Sequence, residues 1–220
     1  MDYVHGRSII KIAIAEDNEM LQDLLPGFID GMENCKVVIQ AYNGRELLEK
    51  LSIKPDTSLI LMDMKMPEMD GIEAAKKIKQ LYPEMKILFM SVFLNELAYS
   101  RVISAGADGF IPIASPSADL KKAIFSVMKS GQYFHNSFPA IYRERPNGNG
   151  RPVKNKYAVT DEEIVFLKLI CTDKTYEAIA YEMKTNLRHV DYVRQGLFER
   201  YEIHSRAELA VLAYNGGISS

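Results

Sequence analysis

Leu59-Ile60-Leu61-Met62-Asp63 is the stretch of sequence that decides the fold. Its four apolar residues form a continuous run, which is typical of a strand that helices cover on both faces. The run ends on a carboxylate, and a segment with helical periodicity follows at Gly71–Leu81. A buried strand followed by a turn and a helix is the repeating unit of an α/β fold.

The same unit recurs on both sides of this stretch. Further apolar runs occupy residues 9–14, 37–39, 87–90 and 110–111, and further segments of helix length occupy residues 20–30, 43–51, 96–105 and 117–128. Strands that alternate with helices form a parallel sheet through right-handed crossovers. We therefore predict that residues 8–130 form a domain of the α/β class, a (βα)5 doubly wound parallel sheet of the flavodoxin-like kind with strand order 2-1-3-4-5.

The rest of the chain has a different composition. Residues 131–156 are predicted to be a linker, because their second half is rich in Pro, Gly and Asn and has no apolar periodicity. From residue 157 onward the pattern is helical, with capping boxes at Thr160-x-x-Glu163 and Ser205-x-x-Glu208 and helix caps at Thr175 and Asn186. Residues 157–220 are therefore predicted to be a small all-α domain with helix-turn-helix spacing.

Composition excludes several classes of protein. The chain has 220 residues, 47% of them hydrophobic, and a formal net charge of -2, which excludes disordered, collagen-like and fibrous proteins and a uniformly basic nucleic-acid coat. Cys35 and Cys171 lie far apart, so we expect neither a disulfide framework nor a zinc site. No apolar stretch is long enough to cross a membrane, and the N-terminus lacks the apolar core of a signal peptide. We therefore expect a cytoplasmic protein without a membrane partner.

Three carboxylates follow two strands that the predicted order makes neighbours. Glu16 and Asp17 follow the first strand, and Asp63 follows the third. Each acid alone is ordinary turn chemistry, but three anions in one crevice repel one another unless a cation lies among them. Mg²⁺ prefers such oxygen ligands, so the pattern predicts a Mg²⁺ site in which Asp63 can act as a nucleophile toward phosphorus.

Four motifs in this region share one resemblance. They are Ala15-Glu16-Asp17-Asn18, Met62-Asp63-Met64-Lys65-Met66-Pro67-Glu68-Met69-Asp70-Gly71, Met90-Ser91 and Ala105-Gly106-Ala107-Asp108-Gly109-Phe110. With these motifs, residues 8–130 resemble a CheY-like receiver domain of bacterial two-component systems. The resemblance implies that Asp63 is the phosphoacceptor, and that Glu16, Asp17 and the backbone carbonyl of Lys65 join it in holding Mg²⁺.

The resemblance also implies a switch, with Ser91 as its hydroxyl and Phe110 as its aromatic residue. One position departs from the family, because receivers place a lysine three residues after the aromatic residue and this chain has Ile113 there. An isoleucine supplies neither a charge nor a donor to a phosphoryl group. The alternative function is therefore a pseudo-receiver that is controlled by dimerisation or partner binding without phosphorylation.

Two other chemistries are less compatible with the sequence. Aspartyl phosphatases of the same fold need a carboxylate two residues after the nucleophile, where this chain has Lys65, so we do not expect an enzyme. A cluster of methionines offers the soft sulfur ligands that Cu(I) prefers. Packing in the core explains the same cluster without a metal: Met62, Met64, Met66 and Met69.

Residues 157–217 resemble the LuxR/NarL-type effector domain. The matching positions are Thr160, Glu163, Leu167-Lys168-Leu169-Ile170, Ile179-Ala180, Val190, Leu197 and Ser205-Arg206-x-Glu208-Leu209. The resemblance implies two groups of DNA contacts, with Asp191, Tyr192 and Gln195 at bases and Arg188, His189 and Arg194 at phosphates. Because acidic and basic residues balance in this domain, we expect a smaller electrostatic share of the affinity than is usual.

Together the two resemblances predict a DNA-binding transcriptional response regulator of the NarL/LuxR type. Its expected partners are a sensor histidine kinase, double-stranded DNA and a second copy of the chain in a homodimer. A helical module that binds protein instead of DNA is the alternative for the second domain.

Overall fold

The computed structural model describes residues 3–4, 7–53, 56–139 and 157–218. The chain divides into two compact units, one of Met1–Val92 with Val102–Phe138 and one of Phe93–Arg101 with Pro139–Ser220. Most of the predicted linker, residues 140–156, lies outside the described residues. None of the helices in the described ranges is both long and apolar enough to cross a membrane.

From β3 onward, strands and helices alternate as far as residue 134. Their order is β1 (Tyr3–Val4), β2 (Arg7–Ser8), β3 (Ile10–Ala15), α1 (Glu19–Asp30), β4 (Cys35–Ala41), α2 (Gly44–Ile53), β5 (Leu59–Asp63), α3 (Gly71–Leu81), β6 (Lys86–Ser91), α4 (Glu96–Ser104), β7 (Gly109–Pro112), α5 (Ser117–Ser130) and β8 (Tyr133–Phe134). The predicted (βα)5 alternation is confirmed.

The main sheet has the order β4-β3-β5-β6-β7-β8, and its strands pair in parallel. The first five strands of this order confirm the predicted 2-1-3-4-5 topology. β1 and β2 form a separate antiparallel pair. The topology makes β3 and β5 direct neighbours, and their carboxyl ends meet at one edge of the sheet.

The sheet gains a sixth strand that the sequence analysis did not predict. β8 pairs with β7 through Gly109↔Tyr133 and Phe110↔Phe134, within the segment that was predicted to be a linker. The turn before it is made by Gly131, which ends α5 in the left-handed conformation with φ 82°. A two-residue strand has too few residues to show a strand pattern in sequence, which is why it was missed.

Helices cover both faces of the sheet. On one face α1 and α5 pack against buried strand residues such as Ile14, Leu61 and Leu88. On the other face α2 and α3 contact each other. Strand residues are therefore buried on both sides, which explains the continuous apolar runs in the sequence.

Four helices follow from residue 157 onward and belong to the second unit: α6 (Asp161–Ile170), α7 (Tyr176–Glu182), α8 (Leu187–Tyr201) and α9 (Arg206–Asn215). The predicted capping boxes are confirmed at the start of α6 and of α9, and Thr175 and Asn186 cap α7 and α8 as predicted. The Glu163 carboxylate of the first box also pairs with both terminal nitrogens of Arg200, at 2.8 and 2.9 Å. This bidentate pair joins α6 to α8.

Candidate functional site

Three carboxylates meet where β3 and β5 end. Oxygen atoms of Glu16, Asp17 and Asp63 all lie within 4.8 Å of one another. Glu16 is buried, Asp63 is half-buried and Asp17 is exposed, so the cluster opens to solvent on the Asp17 side. The structure therefore brings together the three acids that the sequence analysis placed in one crevice.

Glu16 lies in the loop between β3 and α1. Its Oε1 accepts a hydrogen bond from the backbone N–H of Asn18 at 3.1 Å, and Asn18 in turn caps the first turn of α1. The other oxygen, Oε2, is buried and has no hydrogen-bond partner among the described residues. Because a buried carboxylate oxygen is costly to leave without a partner, this atom marks a place for a cation.

Asp63 is the last residue of β5, and its Oδ2 accepts a hydrogen bond from the N–H of Lys65 at 3.1 Å. The start of α3 lies so close to Asp63 that a Cβ atom on Gly71 would be only 1.9 Å from the Asp63 carbonyl oxygen. Asp70 caps α3 by accepting from the N–H of Glu73. A glycine at position 71 is therefore required for this helix to begin beside the acid.

Burial sets the charge state of the site. Together with the neighbouring carboxylate of Glu16, burial raises the pKa of Asp63 to about 7, while the N–H groups of Lys65 and Met64 oppose the increase. Burial also raises the pKa of Glu16 above its usual value of 4.5. Both shifts express the cost of holding anions close together in a poorly solvated place.

The donor set fits a hard divalent cation. Three carboxylates supply oxygen ligands of the kind that Mg²⁺ prefers, and one side stays open for water and a phosphoryl group. A cation there would reverse the two causes of the high Asp63 pKa, because it would offset the burial and the repulsion from Glu16. The partnerless Oε2 of Glu16 gives the same indication independently.

Ser91 and Phe110 lie on the two strands that follow along the sheet. Ser91 ends β6 and is fully buried, and its carbonyl accepts a hydrogen bond from the N–H of Ile113 at 3.0 Å. Phe110 is fully buried in β7, with its ring 5.3 Å from the ring of Phe138. Both side chains occupy the interior of the first unit.

The second unit contains the expected helix-turn-helix. α7 ends at Glu182, Lys184 takes the left-handed conformation with φ 54° in the turn, and Asn186 accepts from the N–H of His189 to begin α8. Val190, Val193 and Leu197 bury one face of α8 in the helical core. The opposite face carries the exposed side chains of Arg188, Tyr192 and Gln195.

The other three residues that were expected at DNA have partners within the unit. His189 Nε2 lies 2.7 Å from a carboxylate oxygen of Glu162, and Asp191 pairs with Arg194 at 3.1 Å. The Arg194 guanidinium also lies over the ring of Tyr176, 5.0 Å from its centroid. These contacts fix the directions of His189, Asp191 and Arg194 on α8.

A model of the response regulator receiver domain matches residues 12–125, which is more than half of the chain. The chain belongs to the response regulator receiver family. It is 27% identical over 214 residues to "Response regulator GacA" of Pseudomonas syringae pv. syringae, an alignment that covers 96% of this chain and 98% of GacA. It is 25% identical over 206 residues to "Response regulator protein VraR" of Staphylococcus aureus, with coverage of 93% and 96%.

A solved structure shows the same fold over nearly the whole response regulator. RcsB from Salmonella enterica serovar Typhimurium, bound to promoter rprA in the presence of phosphomimetic BeF3⁻, superimposes with a TM-score of 0.66 at 18% identity. The superposition covers 92% of this chain and 97% of RcsB. The predicted two-domain fold class is confirmed by this likeness.

Ile113 follows β7 in this response regulator, at the position where the receiver resemblance calls for lysine. Its side chain is half-buried and packs against the core that α1 and α5 cover. Together with Leu21, Leu25 and Leu120 it lines an apolar cavity of about 230 Å³. Ile113 therefore belongs to the packing of the domain rather than to its polar crevice.

Gln22 and Asp108 are buried polar residues to which the sequence analysis gave no role. Gln22 of α1 is 1% exposed and contacts the loop of Glu16. Asp108 is also 1% exposed and accepts hydrogen bonds from Lys79 and Lys86 at the opposite end of the sheet. Gln22 left a signal, since it is a polar residue at a core-facing position of an amphipathic helix.

Proposed function

We propose that this response regulator is phosphorylated on Asp63 by a sensor histidine kinase, with Mg²⁺ at the acidic site, and that it then acts in the cytoplasm as a DNA-binding transcriptional regulator. The observation that carries the proposal is the cluster of Glu16, Asp17 and Asp63 within 4.8 Å at the ends of β3 and β5. The buried Oε2 of Glu16, without a partner, supports a cation there.

Phosphoryl transfer needs Asp63 to be ionised and accessible. A carboxylate oxygen of Asp63 forms a bond to phosphorus, and the P–N bond of a phosphohistidine breaks as its imidazole leaves and takes up a proton. Glu16, Asp17, Asp63 and the carbonyl of Lys65 would hold the Mg²⁺. When bound, the ion neutralises negative charge on the phosphoryl group. The chain contributes the acceptor and not a catalytic turnover of its own.

The readout is assigned to Ser91 and Phe110. Ser91 ends β6, the strand next to β5, and Phe110 lies on β7, one strand further away. A phosphoryl group on Asp63 would therefore act on Ser91 before Phe110. Their complete burial means that any movement must repack the interior, so it favours two discrete arrangements over a gradual one. Ile113 supplies no charge to this step.

The second unit is proposed to bind double-stranded DNA through α8, as a homodimer that reads two half-sites. Arg188 and Gln195 are exposed on α8, and Tyr192 is 75% exposed. Asp191, Tyr192 and Gln195 are proposed at bases, and Arg188, His189 and Arg194 near phosphates. The Asp191–Arg194 pair offsets part of the local positive charge, so the salt dependence is expected to be shallow.

Intact mass after incubation with acetyl phosphate and Mg²⁺ tests the receiver half of the proposal. A gain of one phosphoryl group that is lost in Asp63→Asn, together with dimer formation in size-exclusion scattering, is the expected result. No gain in the wild-type chain, with an unchanged oligomeric state, would contradict the proposal and favour control by partner binding without phosphate.

A salt titration of binding to duplex DNA tests the second unit. Affinity that falls with added salt, and a preference for one sequence over a scrambled duplex, are expected for a DNA-binding domain. Absence of binding at low salt would indicate a helical module for a protein partner.

A further inference from the structure

Gln22 connects three elements of the first unit around the acidic site. Its side-chain Nε2 donates to the carbonyl of Glu16 at 2.7 Å and to the carbonyl of Ala41, at the end of β4, at 2.6 Å. The same Ala41 carbonyl accepts the N–H of Glu16 at 3.0 Å. The amide of Gln22 therefore fixes the Glu16 residue on both sides, directly at its carbonyl and through Ala41 at its N–H.

A second glutamine orients the amide of Gln22. Nε2 of Gln40 in β4 donates to Oε1 of Gln22 at 2.9 Å and to the Gln22 backbone carbonyl at 2.8 Å. With its oxygen held by Gln40, Gln22 must point its two N–H groups at the carbonyls of Glu16 and Ala41. All the hydrogen-bonding atoms of this side chain are then used, which is the condition under which a buried polar network is rigid.

Pro26 makes this arrangement possible. In a regular helix the carbonyl of Gln22 would accept the N–H of residue 26, but Pro26 lies inside α1 and has no N–H. The carbonyl is consequently available to Gln40. The proline and the two glutamines therefore act together on the loop that carries Glu16.

We propose that Gln22 is a positioning residue that preforms the acidic site before a divalent cation binds. This inference rests on the proposed Mg²⁺ function. By fixing the peptide of Glu16, the amide holds the loop that carries Glu16 and Asp17 at the distance from Asp63 that the structure shows. Without it, cation binding would have to order the loop, and the affinity would fall by about tenfold, as for other residues that orient metal ligands.

The test uses the full-length chain and measures two quantities separately. Calorimetric titration gives the Kd for Mg²⁺, and thermal unfolding in EDTA gives stability without the ion. Gln22→Met keeps the size of the side chain and removes both donors, and its Kd is expected to be about tenfold higher than that of the wild type. Hydrogen exchange of residues 16–22 in EDTA is expected to be faster, because the loop is no longer held.

A matched control lies at the opposite end of the sheet. Lys79→Met also removes two hydrogen bonds from a part-buried side chain, those to the carbonyl of Met85 and to Asp108. It is expected to lower the unfolding temperature in EDTA and to leave the Kd for Mg²⁺ unchanged. A Gln22→Met chain that is less stable but binds Mg²⁺ with the wild-type Kd would overturn the inference, since Gln22 would then be structural only.

Pro26→Ala is a second variant, and it is expected to fold. The new N–H competes with Gln40 for the Gln22 carbonyl, so the Kd is expected to rise about threefold while stability in EDTA is kept or increased, because a proline inside a helix is destabilising. If Gln22→Met does not fold, a wild-type Kd in Pro26→Ala overturns the inference. If the wild-type chain itself binds no Mg²⁺, the proposed function fails and the inference fails with it.

Discussion

Replacing Asp63 with asparagine is expected to stabilise the protein when divalent cations are absent. The carboxylate is half-buried and lies beside Glu16, and these two causes raise its pKa to about 7. Asparagine has nearly the same shape and no charge, so it removes the repulsion without leaving a cavity. A change at a functional residue that increases stability is characteristic of a site built for a ligand that it lacks.

The size of the effect follows from the two pKa values. An aspartate has an ordinary pKa of 3.8, and that of Asp63 in the folded protein is about 7. Since one pKa unit corresponds to about 1.4 kcal/mol, ionised Asp63 costs the folded state about 4 kcal/mol. The unfolded chain loses this proton near pH 4 and the folded chain near pH 7, so wild-type stability falls across this range and the full cost is present above it.

Urea unfolding in EDTA, with circular dichroism as the probe, measures this difference. The unfolding transition that is used is the one whose midpoint shifts when Mg²⁺ is added. Asp63→Asn is expected to exceed the wild type by about 4 kcal/mol at pH 8 and by about 1.5 kcal/mol at pH 5. Mg²⁺ should reduce the gap by stabilising the wild type. Asp56→Asn is the matched control, because Asp56 is exposed and pairs with Lys11, so no stabilisation is expected there.

Equal or lower stability of Asp63→Asn at pH 8 would refute the reasoning. It would mean that the carboxylate is solvated or already neutralised in the folded chain. The proposed role of a cation in relieving repulsion would then lose its physical basis.

Three further predictions follow from the same structure. The Kd for Mg²⁺ should be about tenfold higher at pH 6 than at pH 8 by calorimetry, because Asp63 must lose a proton to bind the ion; equal values would contradict this. Asp108→Ala should lower the free energy of unfolding by about 3 to 5 kcal/mol, since it leaves Lys79 and Lys86 without their buried carboxylate; a loss below about 1 kcal/mol would show that the pairs contribute little. Arg188→Ala should weaken DNA binding for all sequences and reduce the salt slope by about one, and an unchanged slope would exclude a phosphate contact.

The sequence predicted the elements whose signals are local. Continuous apolar runs identified the five main strands, and the capping boxes at Thr160 and Ser205 identified the starts of α6 and α9. Each of these signals lies within a few residues of the element that it defines. The proximity of Glu16 and Asp63 could also be predicted, because it follows from where the two strands end and from the order of the strands in the sheet.

The sequence did not predict partners that only the folded chain brings together. Arg194 was expected near phosphate, and the structure places its guanidinium over the ring of Tyr176, which lies on another helix. Gln22 meets the Ala41 carbonyl across 19 residues. A side chain can contact any of several polar groups, and the tertiary structure decides which one. A pattern of residue types along one helix does not carry that information.

Ile113 shows how packing and switching can be separated at one position. Its side chain stabilises the domain by packing against the core, and it carries no charge that a phosphoryl group on Asp63 could attract. A contact that is equally strong before and after phosphorylation cannot shift the equilibrium between two states. A lysine at this position would interact differently with the two states, and isoleucine does not. In the proposed mechanism, phosphorylation must therefore act through groups whose interactions change, and the groups proposed for that role are the cation, Ser91 and Phe110.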